Sequence, residues 1–319
     1  MTEELDVWTE KYRPKTLDEV INQKHVVERL KAWVKKGSIP NMLFAGPAGV
    51  GKTCCAIALA REIYGEHWKE NFQETNASDA RGIDVIRGRI KDFAKMKPLG
   101  ADFKIVFLDE SDSLTPEAQQ ALRRTMESFA GATRFILSAN FSNRLIEPIQ
   151  SRTVVFRFKN LTKEHVGEYL NRIAAGEKLN ISQDAVDAIY EISEGDLRRA
   201  TNLLQASAAL GKITKETVYD VAAQAKPDDV KEMLNLALDG KFSDARKKLY
   251  DMLLSQGLSG DDIIRAFHRE VFNLDIEEQT RLELIEKIGE TEYRLNCGGT
   301  PEVQIEALLA QVVKFKEKT

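Results

Sequence analysis

The eight residues GPAGVGKT, Gly46 to Thr53, constrain the fold of this 319-residue chain more than any other stretch. The pattern GxxxxGK[ST] works only between an entering strand and a leaving helix, because its backbone N–H groups must converge on one phosphate chain. Both neighbours are present: the apolar NMLFA precedes the loop and TCCAIALAREIY, a helical pattern, follows it. Gly46, Gly49 and Gly51 permit the tight turns, while Pro47, Ala48, Val50 and the following Cys54 complete the expected nucleotide contact. Lys52 supplies charge against β- and γ-phosphates, and the Thr53 hydroxyl suits Mg2+. The loop alone fits ATP or GTP and leaves open what the nucleotide drives.

A phosphate loop needs a carboxylate at the end of a neighbouring strand to hold the hydrated metal. KIVFLDE supplies Asp109 directly after an apolar run, and Glu110 follows it, placed to polarise water. That second acid favours hydrolysis over transfer to another substrate. Strands expected at 42–45, 72–75, 104–108, 134–138 and 154–158, most of them short apolar runs, alternate with helical patterns, which predicts an α/β domain around a mostly parallel sheet. After Leu161 the β signal stops. Thr162, Ser182, Asp196 and Thr214 stand where N-caps belong, ahead of segments with apolar residues at helical spacing.

Beyond Pro227 come further stripes: Val230/Met233/Leu234/Ala237, Leu249/Met252/Leu253, Ile263/Ile264/Phe267 and Ile305/Leu308/Leu309/Val312. The expected organisation is therefore an ATPase domain over 1–160, a small helical domain over 161–226 and an all-helical domain over 227–319. Periodicity alone does not separate core from oligomer interface in the last of these.

Hydrophobic residues make up 43% and charged residues 30%, the composition of a globular chain. No apolar run approaches the roughly 20 residues of a membrane helix, and MTEELDVWTEKYRP has no signal-peptide core, so a cytoplasmic location without membrane partner is expected. Three cysteines, Cys54, Cys55 and Cys297, make neither a disulfide framework nor a zinc site and read as small buried residues. Four scattered histidines give no catalytic constellation. A net charge of −4 argues against strong DNA binding by the isolated chain, yet residues 81–97 hold six basic and two acidic residues. There Arg87, Lys91 and Lys95 recur every four residues, while Ile86, Ile90 and Phe93 form a separate apolar face.

Taken in order, WTEKYRPKTLDEVINQ, the phosphate loop, NASDARGIDVIR, FLDESDSLTPEAQQALRRTME, SAN, IQSRT and EGDLRRA resemble the AAA+ ATPases. Within them, the set resembles the small subunits of the clamp loader replication factor C in its archaeal form, over essentially the whole chain. The resemblance implies an AAA+ P-loop domain, a helical lid and an all-helical collar through which subunits assemble. It also implies ATP as nucleotide, with Thr9, Tyr12, Arg13 and Ile21 around the adenine.

On the same ground, Asn140 falls at the first sensor position and orients the lytic water, and Arg198 falls at the second sensor in the lid. Asn76 would restrain Glu110 until DNA binds. SRT resembles the family's SRC, whose arginine reaches a neighbouring subunit's ATP, so Arg152 is the expected finger; Thr153 in place of cysteine leaves it intact. DESD likewise keeps both acids of the commoner DEAD or DECD. Arg81, Arg87, Lys91 and Lys95 would face DNA phosphates, and Met126 and Phe129 would meet the sliding clamp. The implied partners are a replication factor C large subunit, further small subunits, the PCNA clamp and primer–template DNA. Two other readings stay open: another DNA-remodelling AAA+ ATPase, which should carry an added DNA-binding module, and a nucleotide-gated scaffold with negligible hydrolysis, against which Lys52, Asp109, Glu110 and Arg152 stand.

Overall fold

The strands of the first 160 residues alternate in a way that buries both faces. Met42 and Phe44 of β1 (Met42–Ala45), Ile105 and Phe107 of β3 (Lys104–Asp109) and Ile136 of β4 (Thr133–Ala139) enter one core, while Leu43, Val106, Leu108, Phe135 and Leu137 enter another. A sheet with two apolar faces must be covered on both, as helical crossovers between parallel strands require. With β2 (Phe72–Asn76) and β5 (Val154–Arg157), these strands form one parallel five-stranded sheet in the order β2-β3-β4-β1-β5. The computed structural model describes residues 7–78 and 86–316.

On the first face lie α1 (Lys24–Lys35), through Val26, Val27 and Leu30, and α2 (Lys52–Tyr64), through Cys55 and Ala56 to Ala60. The second face is covered by α3 (Pro116–Ser128), which begins with Thr115 capping Ala118 N and Pro116 in its first turn, where a missing N–H costs nothing. Ile90 and Phe93 join the same core.

Met126 is 1% exposed in that second core, beside Leu122. The expectation that it meets the clamp is corrected here: its four-residue spacing from Leu122 puts it on the helix face that packs against the sheet. Phe129, at the C-cap of α3, is half-buried.

The chain divides into two compact units, one of Met1–Ile181 with Ile189–Gln205 and one of Ser182–Ala188 with Ala206–Thr319. Four further helices follow the sheet: α4 (Lys163–Gly176), α5 (Gln183–Ser193), α6 (Leu197–Ala209) and α7 (Lys215–Ala222). Three of the expected caps bond as caps: Ser182 Oγ accepts from Ala185 N, Asp196 Oδ1 from Arg198 N and Arg199 N, and Thr214 forms a reciprocal box with Thr217. Thr162 holds the N-cap position of α4, but its hydroxyl lies 2.7 Å from His165 Nδ1.

The remaining helices are α8 (Pro227–Leu238), α9 (Phe242–Tyr250), α10 (Gly260–Glu270), α11 (Glu278–Asn296) and α12 (Pro301–Lys316). Pro227 opens α8 in its first turn. The apolar stripes expected beyond it are buried in one core, apart from Leu253, which packs half-buried at its edge. Cys55 is buried and Cys54 partly so, but Cys297 is exposed just past α11, which corrects its reading as a buried residue. No helix among the described residues is long and apolar enough to cross a membrane.

Candidate nucleotide-binding and hydrolysis site

β1 lies between β4 and β5 although it comes first in the chain, so the loop leaving its C-terminal end opens beside the ends of β4 and then β3. Ligands of open α/β sheets bind at such reversals of strand order. Each neighbouring strand end carries polar chemistry: Asn140 directly after β4, Asp109 and Glu110 at the end of β3. These residues line one pocket with Ala48, Gly49, Val50, Gly51, Lys52, Thr53 and Cys54.

Lys52 opens α2 and is 7% exposed. Its ammonium donates to Gly46 O at 2.6 Å, Pro47 O at 2.7 Å and Asn140 Oδ1 at 2.8 Å. Burial pushes its pKa below the usual lysine range; Asp109, Asp112 and Asp196 pull against that fall and Arg198 adds to it. A half-desolvated cation surrounded by dipoles gains more from an arriving phosphate than a solvated one, because a full charge replaces the dipoles in a medium of low dielectric. Thr53 Oγ1 donates to Asp109 Oδ2 at 2.6 Å, which joins two hard oxygens at the corner of the loop.

Glu110 sits at φ +51, a left-handed backbone that costs a glutamate about 1–3 kcal/mol and persists only where its surroundings enforce it. Two bonds do so: its N–H donates to Asp109 Oδ1 at 2.9 Å, and its carbonyl accepts from Ser113 Oγ at 2.7 Å. Asp112 ties the neighbouring strand end, accepting from Asn140 N at 3.1 Å and Phe141 N at 2.9 Å. Asn76 stands in register beside Asp109, but its side-chain oxygen accepts from Ser78 N and Oγ, both at 2.9 Å, rather than engaging Glu110.

The start of α6 rests against the phosphate loop. Leu197 N donates to Gly49 O at 3.2 Å, and Arg198 lines the pocket from the same turn. Gly49 has φ +68, and a Cβ there would land inside the Asp196 carboxylate. Gly46 likewise approaches Phe158, whose carbonyl oxygen lies 2.5 Å from where a Cβ would stand. Gly49→Ala is therefore expected to lose several degrees of melting temperature and most ATP affinity together, because either Asp196 or the loop must move. Thermal melting and nucleotide titration check this; an unchanged melting curve with unchanged affinity would refute the contact.

Of the residues expected around the adenine, Thr9, Arg13 and Ile21 line the pocket. Tyr12 does not. Its hydroxyl donates to Glu177 Oε1 at 2.6 Å and packs on Gly176, so its expected adenine contact is corrected to a tie between the N-terminal segment and α4. Burial pushes the Cys54 thiol up, and the adjacent Arg13 guanidinium partly offsets this. Glu10, Pro14, Val20, Ser138, Tyr169, Leu197 and Thr201 also line the pocket and were not expected. Val20 and Pro14 neighbour Ile21 and Arg13, and Thr201 lies one turn beyond Arg198 on α6, but Tyr169 reaches the pocket from a helix whose sequence gives no sign of it.

Arg152 is not among the lining residues. It is exposed, with Nη2 2.8 Å from Glu127 Oε1 and Nη1 donating to Pro148 O at 2.8 Å. Lys91 and Lys95 are exposed on the far side of the short helix whose Phe93 enters the second core, and Lys95 pairs with Asp92 at 3.3 Å. Arg81 lies outside the described residues, as does the side chain of Arg87.

These residues fit a nucleotide with its magnesium. The loop ends at the positive terminus of a thirteen-residue helix, Lys52 is buried there, and Thr53 and Asp109 present adjoining oxygens. Mg2+ keeps several waters and takes the rest of its shell from one or two protein oxygens and the phosphates, a role open to Thr53 and Asp109.

Comparison with known proteins agrees along the length of the chain. Residues 42–161 match the ATPase family associated with various cellular activities (AAA), 168–209 the RCF1/5-like AAA+ ATPase lid domain, and 225–311 the replication factor C C-terminal domain. The replication factor C small subunit of Methanocella arvoryzae is 51% identical over 96% of this chain and 95% of its own. That of Saccharolobus solfataricus is 50% identical over 98% and 96%. The Thermotoga maritima RuvB Holliday junction branch migration motor shares the fold, with a TM-score of 0.55 at 20% identity over 78% of this chain and 87% of its own. A phosphate loop with its two strand-end acids, a lid and a helical C-terminal region, matched at half identity over nearly every residue, identify the chain as an AAA+ ATPase that belongs to the replication factor C small-subunit family.

Proposed function

We propose that the chain binds ATP with Mg2+ in this pocket and, assembled with a large subunit and further small subunits, uses hydrolysis to load a PCNA-type sliding clamp onto primer–template DNA. The observation that carries this reading is the position of Arg152. One chain supplies Lys52, Asp109, Glu110, Asn140 and Arg198 to the pocket, yet holds Arg152 at its surface, away from its own site. A site that gathers every phosphate-directed residue except the finger is suited to completion by a neighbour.

Within that scheme Lys52 and the loop N–H groups would hold the β- and γ-phosphates, and Thr53 and Asp109 would hold the metal, which would supply charge against the phosphates. Glu110 takes the proton of the attacking water, and Asn140 orients it. To reach phosphate, Lys52 exchanges its bonds to Gly46 O and Pro47 O, while its tie to Asn140 links the phosphate sensor to the loop. Arg198 connects the nucleotide to the lid through the same turn in which Asp196 and Leu197 touch Gly49.

The reading assigns residues 1–160 to the ATPase domain, 161–226 to the lid and 227–319 to the collar. Exposed Lys91 and Lys95, with Arg81 and Arg87, meet DNA phosphates, contacts that carry affinity without sequence. Several weakly basic subunits around one duplex add their contacts by multivalency. Phe129 stays with the clamp surface.

The deciding measurement is ATP turnover with and without primed DNA, sliding clamp and a large subunit. Stimulation by the combination is expected. A rate indifferent to all three additions would remove the clamp-loading role.

A further inference from the structure

Among the described residues, Ser138 Oγ is a buried side-chain atom without a hydrogen-bond partner, and of such atoms it is the one whose residue lines the nucleotide pocket. Ser138 is 0% exposed. A buried hydroxyl without a partner costs about 1–3 kcal/mol, so its presence at a ligand site points to a partner that arrives with the ligand.

The sheet shows which part of the ligand that is. Leu108 pairs with Leu137 in the parallel register of β3 and β4, so the next residues, Asp109 and Ser138, stand side by side. Strand alternation puts Ser138 on the face of Ile136, and Asp109 on the face of Ile105 and Phe107, the same face that α2 covers. Asp109 in turn accepts from Thr53 Oγ1. Thr53, Asp109 and Ser138 therefore border one corner of the pocket, with Asn140 two residues on, just past the end of β4, lining the same pocket.

We infer that Ser138 is a positioning residue of the metal site: its hydroxyl accepts a hydrogen bond from a water in the Mg2+ shell that Thr53 and Asp109 hold. This rests on the ATPase reading of the pocket. Magnesium keeps several of its waters, and a fixed acceptor beside Asp109 orients one of them without entering the inner shell. Ser138 acts through that water and touches neither the phosphate nor the attacking nucleophile.

The test is calorimetric binding of a non-hydrolysable ATP analogue to the full chain, in Mg2+ and in EDTA, for the unmodified protein and Ser138→Ala. The gain in affinity that Mg2+ brings is expected to shrink about tenfold in the variant, while affinity in EDTA is unchanged and the ligand-free melting temperature is unchanged or higher. Ser138→Cys, which keeps the shape of the side chain with a somewhat larger atom and offers only a weak acceptor, is expected to show the same selective loss. Equal weakening in Mg2+ and EDTA would overturn the assignment by placing the hydroxyl on the nucleotide, and an unchanged Mg2+ gain in both variants would make Ser138 a packing residue. Failure of the unmodified chain to bind the analogue in either condition would instead count against the ATPase reading.

Discussion

Glu110→Gln is expected to keep ATP affinity and to lower turnover by about 10²–10⁴-fold, the usual worth of a positioned general base. The amide has the size of the carboxylate and leaves both enforcing bonds in place, because those use the backbone N–H and carbonyl of residue 110. What it removes is basicity at a side chain that the strained backbone directs into the pocket. Binding would be followed by nucleotide titration and turnover by phosphate release. Unchanged release would eliminate Glu110 as the base and leave the left-handed turn without a catalytic reason.

Arg152→Ala should act across the subunit boundary. In the isolated chain it is expected to cost less than about 1 kcal/mol of stability, since the pair with Glu127 is solvent-exposed, and to leave ATP affinity unchanged. In the assembled complex it should lower turnover by about 10³–10⁵-fold, the worth of an arginine finger in phosphoryl transfer. Mixing Arg152→Ala chains with Lys52→Ala chains should then recover activity, because some interfaces join an intact Lys52 to an intact Arg152. No recovery at any ratio, with assembly verified by sedimentation, would show that the sites are not shared. Arg152 rests on Glu127 at 2.8 Å, so in the shared-site proposal engagement with a neighbour's phosphate would require exchange of that carboxylate for the phosphate.

Much of the ATPase domain was legible from local chemistry. All five strands fall within a residue or two of the segments expected for them; β1, β3 and β4 do so because parallel strands buried on both faces read as continuous apolar stretches, whereas the edge strands β2 and β5 are only partly buried. The stripes of α8, α10 and α12 were equally plain, each being buried along one face. α11 was not. Only Leu284, Ile288 and Thr291 are buried along its nineteen residues, while Leu282 and Tyr293 are exposed, so its pattern is diluted below recognition.

Errors at the site have a common cause. By family position Met126 was assigned to the clamp and Tyr12 to the adenine, but the outcome depends on which helix face meets the sheet and on where Glu177 of a distant segment arrives. Ser138 drew no role of its own within the SAN motif, because a serine inside an apolar strand looks like any small core residue until its unpartnered hydroxyl and its neighbour Asp109 are both known.

By itself the sequence determined the phosphate loop, its strand and helix, the two acids after β3 and the family to which they belong. These are matters of spacing within one segment, and backbone geometry links spacing to chemistry directly. The order of the strands was decided only in three dimensions. Placing β1 between β4 and β5 brings Lys52 to Asn140 and Thr53 to Asp109, contacts that span 88 and 56 residues of chain. It also leaves Arg152 outside the pocket that these contacts build. Side-chain pairing at such separations follows from the packing of a whole sheet, which no local pattern encodes.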